Sequence, residues 1–155
     1  MYFRKPATHK MMDLLAIREH SILEIEKKLA EKKYATEEIG EAIAYGKKHG
    51  WLPDGTDKNK AMSARIAGDL GKKGKGQHAI NHKLESMGLP TLELDLESET
   101  AKALQLLEKK YRSQNLNDTK IKAQAIRFLG GKGFSEDCIM KTLRTFQPNI
   151  TIDFE

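Results

Sequence analysis

The sequence predicts an all-α protein made of three tandem three-helix repeats, stacked into an elongated, curved array. One supporting observation is composition: charged residues make up 32% of the 155 residues and aromatic residues only 6%. This balance leaves little material for a sheet and is typical of a helical protein. The other observation is a pattern of helix, turn and helix that recurs three times and is clearest in residues 120–143. A helical hairpin cannot bury its apolar face alone, so stacked copies are expected to share a continuous core.

The three copies align on Leu29, Leu84 and Leu129, which lie 55 and 45 residues apart. An apolar residue precedes each leucine by four positions, which places the pair on one face of a helix. Two more apolar residues follow each leucine, one in the turn and one at the first core position of the next helix. In chain order these partners are Ile25, Tyr34 and Ile39, then Ile80, Leu89 and Leu94, then Ala125, Phe134 and Ile139. The spacing leaves room for about one more helix per copy, which predicts repeats at residues 8–50, 51–97 and 98–147 and a C-terminal tail at 148–155.

In the first repeat, apolar residues at helical spacing predict a helix over residues 8–19. Ser21 and Glu24 have the spacing of a capping box and predict the start of a second helix. Thr36 is expected to cap a third helix that ends at Gly50. The next segment, residues 51–58 (WLPDGTDK), contains turn-forming residues and is predicted to be a connecting turn. Trp51 and Leu52 are expected to pack beneath this turn.

In the second repeat, we predict helices over residues 59–70 and 77–87. The segment between them, residues 71–76 (GKKGKG), matches neither the phosphate-binding loop nor the G-x-G-x-x-G pattern, so nucleotide binding is not predicted. Residues 90–98 (PTLELDLES) alternate with a period of two, as an edge strand does. The alignment of the repeats instead places Leu94 at the start of a helix, and we favour a short or irregular helix there.

The third repeat begins with a helix predicted over residues 100–111, whose basic end suits the helix dipole. Asp118 or Thr119 is expected to cap the next helix, and Ser135 the last one. Pro148 is expected to end the last helix. The tail that follows is too short to fold alone, so it frays or docks on a neighbouring unit.

The sequence does not support several classes of function. No apolar run approaches the roughly 20 residues of a membrane helix, and the first residues lack a signal-peptide core, so a cytoplasmic protein is expected. Cys138 is the only cysteine, which excludes an internal disulfide, and no base lies near it in sequence to support catalysis. His78 and His82 share a helix face, but no third metal ligand accompanies them. With no catalytic motif either, we expect a protein that is not an enzyme and uses no metal or cofactor.

The basic residues are unevenly distributed. The formal net charge is +5, and Lys and Arg are concentrated in residues 54–83 and 102–132, on either side of an acidic segment at 93–99. Clusters of this kind suggest a polyanionic partner. A solvated helix face is an equally good explanation from charge alone.

Three short motifs resemble the RecX recombination regulators. The first is LLAIREHS at residues 14–21 with Glu24-Ile25 and Lys28-Leu29, which resembles the opening signature of that family. The third repeat resembles the closing signature through Arg127-Phe128-Leu129, residues 132–135 (KGFS) and Ile139. The second repeat fits the central pattern of that family through Gly76, Ile80, Leu84 and Gly88-Leu89. The resemblance covers residues 12–143, but residues 53–62 depart from the family's paired-aspartate motif and the arginine-rich helix after it.

The resemblance implies a non-catalytic modulator that binds the RecA recombinase filament on single-stranded DNA. Such a protein lies along the filament groove and restrains strand exchange, ATP hydrolysis and filament growth. We expect it to act as a monomer, with weak direct contact to DNA at most. The basic residues expected on its partner surface are Arg65, Lys72, Lys73, Lys75, Lys109, Lys110, Arg112, Arg127 and Lys132.

Two other classes of function remain open from the residues themselves. A stand-alone helical DNA-binding module predicts tight, strongly salt-dependent binding to naked DNA. A helical adaptor that binds only protein predicts no dependence on DNA. Inhibition of the recombinase ATPase, measured beside binding to bare DNA over a salt series, separates the three.

Overall fold

A computed structural model describes residues 3–147 of the chain, and this part contains eight α-helices and no strand. In chain order the helices are α1 (Ala7–Ile17), α2 (Ile22–Glu31), α3 (Thr36–Lys48), α4 (Thr56–Lys72), α5 (Gln77–Ser86), α6 (Leu96–Tyr111), α7 (Thr119–Gly131) and α8 (Glu136–Phe146). The predicted all-helical repeat fold is confirmed. The predicted helix end at Pro148 and the tail lie outside the described residues.

The chain divides into two compact units. Unit 1 comprises residues 1–63 and 84–90, and unit 2 comprises residues 64–83 and 91–155. Helices α4 and α5 therefore each contribute residues to both units.

The three repeats end their aligned helices with the same backbone turn. The N–H groups of Tyr34, Leu89 and Phe134 donate to the carbonyl groups of the aligned leucines at 3.2, 2.9 and 3.2 Å. The residue before each donor has a positive φ: 66° at Lys33, 68° at Gly88 and 93° at Gly133. This is the left-handed helix stop in which glycine is favoured. The shared turn confirms that the aligned segments are structural copies.

Unit 1 is organised around α1, α2 and α3. Its fully buried residues include Met11, Ile25, Leu29 and Ala42. Burying a Met, Ile or Leu side chain stabilises a fold by roughly 1.5–3 kcal/mol. The predicted capping box at the start of α2 is confirmed, since Ser21 Oγ accepts a hydrogen bond from the N–H of Glu24. The prediction that Thr36 caps α3 is wrong. Helix α3 begins after Ala35, and no side chain caps its first turn.

In unit 2, α6, α7 and α8 enclose a second core. Its fully buried members include Leu107, Leu116, Leu129 and Leu143. The predicted caps at the starts of α7 and α8 are confirmed. Asp118 accepts hydrogen bonds from the first turn of α7, and Ser135 Oγ accepts one from the N–H of Cys138 at 3.2 Å.

The prediction of a helix that begins at Leu94 is wrong, because residues 89–95 are not helical and α6 begins only at Leu96. Asn81 provides the hydrogen-bond partners of the backbone in this segment. Its side-chain amide donates to the carbonyl of Leu92 at 2.8 Å and accepts from the N–H of the same residue at 2.9 Å. Asp95 then caps α6 by accepting from the N–H of Ser98. The Leu92 backbone groups thus find side-chain partners outside any helix or strand.

Candidate functional site

In unit 2, the N-terminus of α5 contacts the turn between α7 and α8. The N–H of Gly76 donates to the carbonyl of Lys132, and the N–H of His78 donates to that of Gly133, both at 2.8 Å. Amide groups at a helix start lack partners within their own helix. The turn supplies those partners, and it brings Lys132 beside Lys75, which immediately precedes Gly76.

A buried ion pair stabilises the same helix start. The carboxylate of Glu99, which is 4% exposed, accepts from the N–H of Gln77 at 2.9 Å and pairs with Lys102 Nζ at 2.5 Å. Lys102 Nζ also donates to the carbonyl of Lys75 at 3.0 Å. A carboxylate at a helix N-terminus is favoured by the helix dipole. The pair therefore links α5 to α6 and holds an ammonium group beside Lys75.

The ring of Phe128 brings two further lysines together. Lys110 Nζ lies 4.1 Å from the ring centroid and Lys132 Nζ 5.8 Å from it. The buried Tyr111 ring packs edge-on against Phe128, with centroids 6.1 Å apart. Cations within about 6 Å of an aromatic face are attracted by it. We call Lys75, Lys102, Lys110, Phe128 and Lys132 the basic cluster of unit 2.

Three of the nine sequence-predicted surface residues belong to this basic cluster, namely Lys75, Lys110 and Lys132. The other six belong to unit 2 and are exposed; they are Arg65, Lys72, Lys73, Lys109, Arg112 and Arg127.

Lys102 and Phe128 were not among the residues expected on the partner surface. A signal for Phe128 was available, because Phe128 and Lys132 are four residues apart at the end of one helix and such residues are neighbours. No comparable signal existed for Lys102, whose contact with Lys75 spans 27 residues of sequence.

The other sequence candidates are not assembled into a reactive site. The Cys138 side chain is buried, packs beside Thr100 and Thr142, and burial raises the pKa of its thiol. A raised thiol pKa disfavours the nucleophilic thiolate. His78 and His82 are exposed on α5. Within residues 3–147, no three His, Cys, Asp or Glu side chains come together in a way that could hold a metal ion.

The helices of residues 3–147 are also all too short or too polar to cross a lipid bilayer.

In unit 1, the opening motif builds a polar network at the start of α2. Arg18 binds the Glu24 carboxylate through both terminal nitrogens, at 2.5 and 3.3 Å. The buried His20 ring contacts the carbonyl of Arg18 through Nδ1 and the ammonium group of Lys28 through Nε2, both at 2.9 Å. A carbonyl can only accept and an ammonium group can only donate. Nδ1 therefore carries the proton, and His20 is neutral.

Lowering the pH is expected to weaken unit 1 through His20. Burial of the imidazole, with Arg18 and Lys28 nearby, lowers its pKa below the ordinary value, while the bond to the Arg18 carbonyl and the charge of Glu24 partly oppose this shift. The folded state thus binds a proton less readily than the unfolded chain, so this contribution is complete above about pH 6.5 and is lost as the pH falls below it. One proton changes stability by at most about 1.4 kcal/mol per pH unit.

Urea unfolding from pH 8 to pH 5 checks this expectation. The variant His20→Gln should be less stable than the parent at pH 8, and the difference should shrink as the pH falls. A difference that is the same at every pH would show that folding does not shift the pKa of His20.

Residues 7–45 match the family described as "RecX, first three-helix domain", and residues 97–143 match "RecX, third three-helix domain". The chain is similar to the regulatory protein RecX of Ectopseudomonas mendocina, with 29% identity over 142 residues, covering 86% of this chain and 89% of that protein. It is also similar to the regulatory protein RecX of Acinetobacter baylyi, with 35% identity over 80 residues, covering 49% and 50%.

Two solved structures have a similar fold. A crystal structure of RecX from Lactobacillus salivarius matches with a TM-score of 0.70 and 16% identity, over 92% of this chain and 95% of that one. A crystal structure of a regulatory protein RecX matches with a TM-score of 0.68 and 19% identity, over 88% and 71%. At these identities the likeness concerns the fold.

Proposed function

Because the chain belongs to the RecX family, we propose that this RecX-type regulator binds the RecA recombinase filament on single-stranded DNA and inhibits its recombination, ATPase and growth. The protein acts by binding and not by catalysis. The observation that carries this proposal is the basic cluster of unit 2, where Lys110 of α6 and Lys132 at the end of α7 meet at the ring of Phe128. Lys102 of α6 contacts the backbone carbonyl of Lys75 in the α4–α5 connection.

Two lysines of the cluster, Lys110 and Lys132, contact a partner that leaves their positive charge uncompensated. Phe128 attracts Lys110 and Lys132 without neutralising them. Lys102 is the member whose charge is paired, with Glu99. Ammonium groups fixed in this way suit contact with the phosphates of a nucleoprotein filament, because little side-chain entropy remains to be lost on binding.

The six exposed basic residues outside the cluster extend the proposed surface of unit 2. We expect them to contribute chiefly to the rate and salt dependence of association, as charges at the rim of an interface do. The cluster itself should carry more of the affinity, because few residues of an interface dominate binding.

The test is a double charge reversal in the cluster, Lys110→Glu with Lys132→Glu. We expect the concentration that half-inhibits the recombinase ATPase on single-stranded DNA to rise at least about tenfold, which corresponds to about 1.4 kcal/mol of lost binding free energy. The matched control is Lys120→Glu with Lys141→Glu, which makes the same charge change at exposed positions of α7 and α8. The control should change that concentration by less than about threefold.

Thermal unfolding of both double variants verifies that the fold is retained. Equal inhibition by the cluster variant and the parent would contradict this surface. If the protein were a stand-alone DNA-binding module, the cluster variant would lose affinity for bare DNA by the same factor of about ten. Such a module would not inhibit the recombinase ATPase at protein concentrations too low to coat the DNA. A protein-only adaptor would lose no affinity when the DNA is omitted.

A further inference from the structure

Unit 1 carries a group of three aromatic rings at the C-terminal end of α3. The rings of His49 and Trp51 are stacked, with centroids 4.9 Å apart and an interplanar angle of 23°. The Tyr45 ring lies 4.3 Å from His49 and 5.6 Å from Trp51, tilted in both cases. We call these three side chains the aromatic platform. Each ring thus contacts the other two, which restricts the rotamers of all three side chains.

The platform faces solvent although its neighbours are core residues. Tyr45 is 40% and Trp51 41% exposed, whereas Leu52 is only 1% exposed. The carbonyl of Gly46 accepts from the N–H groups of both Trp51 and Leu52, at 2.9 and 3.2 Å. This turn directs Leu52 into the core and leaves Trp51 outside. The expectation that Trp51 packs beneath the connection is therefore wrong, and a large aromatic surface remains available for a ligand.

An open apolar pocket adjoins the platform. It has a volume of about 240 Å³ and is lined by Met12, Leu15 and Ala16 of α1 together with Trp51. Met12 is itself 40% exposed. The pocket offers aliphatic and thioether groups beside the indole ring. A flat apolar group could insert there and contact both the ring and α1.

The charges around the platform favour an anionic chain over a cation. Lys47 and Lys48 are exposed in the last turn of α3, beside the rings in sequence. Asp54 lies 4.0 Å from Lys47, and both side chains are largely exposed, so this pair is weak. Glu41, one turn before Tyr45, is also exposed. An aromatic site for a cationic ligand would be opposed by the two lysines, whereas a phosphate backbone would be attracted by them.

We propose that the aromatic platform and its adjoining pocket bind an unpaired nucleobase of single-stranded nucleic acid, with Lys47 and Lys48 contacting the flanking phosphates. Stacking on aromatic rings accepts every base, because each base has a π face. Histidine and tyrosine serve in this role as tryptophan does. The site belongs to unit 1 and does not depend on the filament proposal, because it is tested on bare oligonucleotides.

The emission of Trp51 reports on the site directly, since it is the only tryptophan of the chain. The probes are a short oligodeoxythymidine and an abasic oligomer with the same number of phosphates. We expect the oligodeoxythymidine to quench the emission and to bind about tenfold more tightly than the abasic oligomer, because each stacked base contributes on this scale. Binding itself is followed by the anisotropy of a dye on the oligomer.

The variant Tyr45→Ala retains the reporter and should weaken oligodeoxythymidine binding about tenfold. Ile17→Ala is the matched control, because Ile17 is an 80% exposed apolar residue of the same unit, and it should change binding less than about twofold. Equal affinity for the two oligomers would overturn the proposal in favour of phosphate contact alone. Emission that stays unchanged at saturation, or no binding at low salt, would also overturn it and would leave the platform as a surface for a protein partner. The filament proposal would survive each of these results, since its test reads ATPase inhibition by unit 2 variants.

Discussion

Replacing Gly133 by alanine should destabilise the protein by about 3 kcal/mol, the largest effect we expect from any single methyl group. Gly133 has a φ of 93°, a conformation that costs a residue with a Cβ roughly 1–2 kcal/mol. The new methyl group would also lie only 2.6 Å from the backbone nitrogen of Ala79. Forcing the two segments apart adds about 1–3 kcal/mol. The same close approach occurs from the other side, where a Cβ on Gly76 would lie 2.5 Å from the nitrogen of Phe134.

Gly130→Ala is the matched control for this prediction. A Cβ at Gly130 meets nothing within 4 Å, and the residue lies in α7, so alanine should leave stability unchanged or raise it by up to about 1 kcal/mol. Urea unfolding followed by far-ultraviolet circular dichroism measures both variants. If Gly133→Ala unfolded at the same urea concentration as the parent, the contact between α5 and the α7–α8 turn would not contribute to stability.

Replacing Glu99 by alanine should cost about 3 kcal/mol of stability. The substitution leaves the N–H of Gln77 without its acceptor and Lys102 without its counter-charge. Removing one partner of a buried ion pair typically costs about 3–5 kcal/mol, because the remaining charge is uncompensated. We expect the lower end of that range, since the side chain of Lys102 is 26% exposed and water can reach it.

The control for Glu99 is its neighbour in the first turn of α6. Glu97 is exposed, so Glu97→Ala should lose only a helix-dipole contribution of about 0.5 kcal/mol. The double variant of Glu99→Ala with Lys102→Ala should be less destabilised than the sum of the single variants, because the second substitution removes the uncompensated charge. Additive effects in this cycle would contradict the proposed pairing.

The core of the helical repeats was predictable from residue spacing. All three aligned leucines are fully buried, and so are the residues four positions before them, Ile25, Ile80 and Ala125. The alignment failed at Leu94, which is half-buried in a non-helical segment. Spacing alone could not reveal this, because the Asn81 side chain that holds the neighbouring Leu92 lies 11 residues earlier in the chain.

The candidate site was predictable only in part. Counting charges found Lys75, Lys110 and Lys132, but it ranked them no higher than the exposed Arg127 or Lys109. Contacts set these three lysines apart from the other exposed basic residues. Lys110 and Lys132 lie at the ring of Phe128, and the backbone hydrogen bond between Gly76 and Lys132 spans 56 residues of sequence. Likewise, aromatic content gave no indication that Trp51 would face solvent while Leu52 is buried.

The sequence by itself determined the helical class, the repeated helix stops, most of the caps and the buried leucines. These features depend on residue type and on partners within about one turn of helix, so local spacing is sufficient to define them. Only the tertiary structure decided that Gly76 and Gly133 are tightly packed, that Glu99 is buried against the start of α5, and that Lys110 reaches the ring of Phe128. Each of these depends on groups far apart in sequence, whose distances are set by packing once the helices have formed.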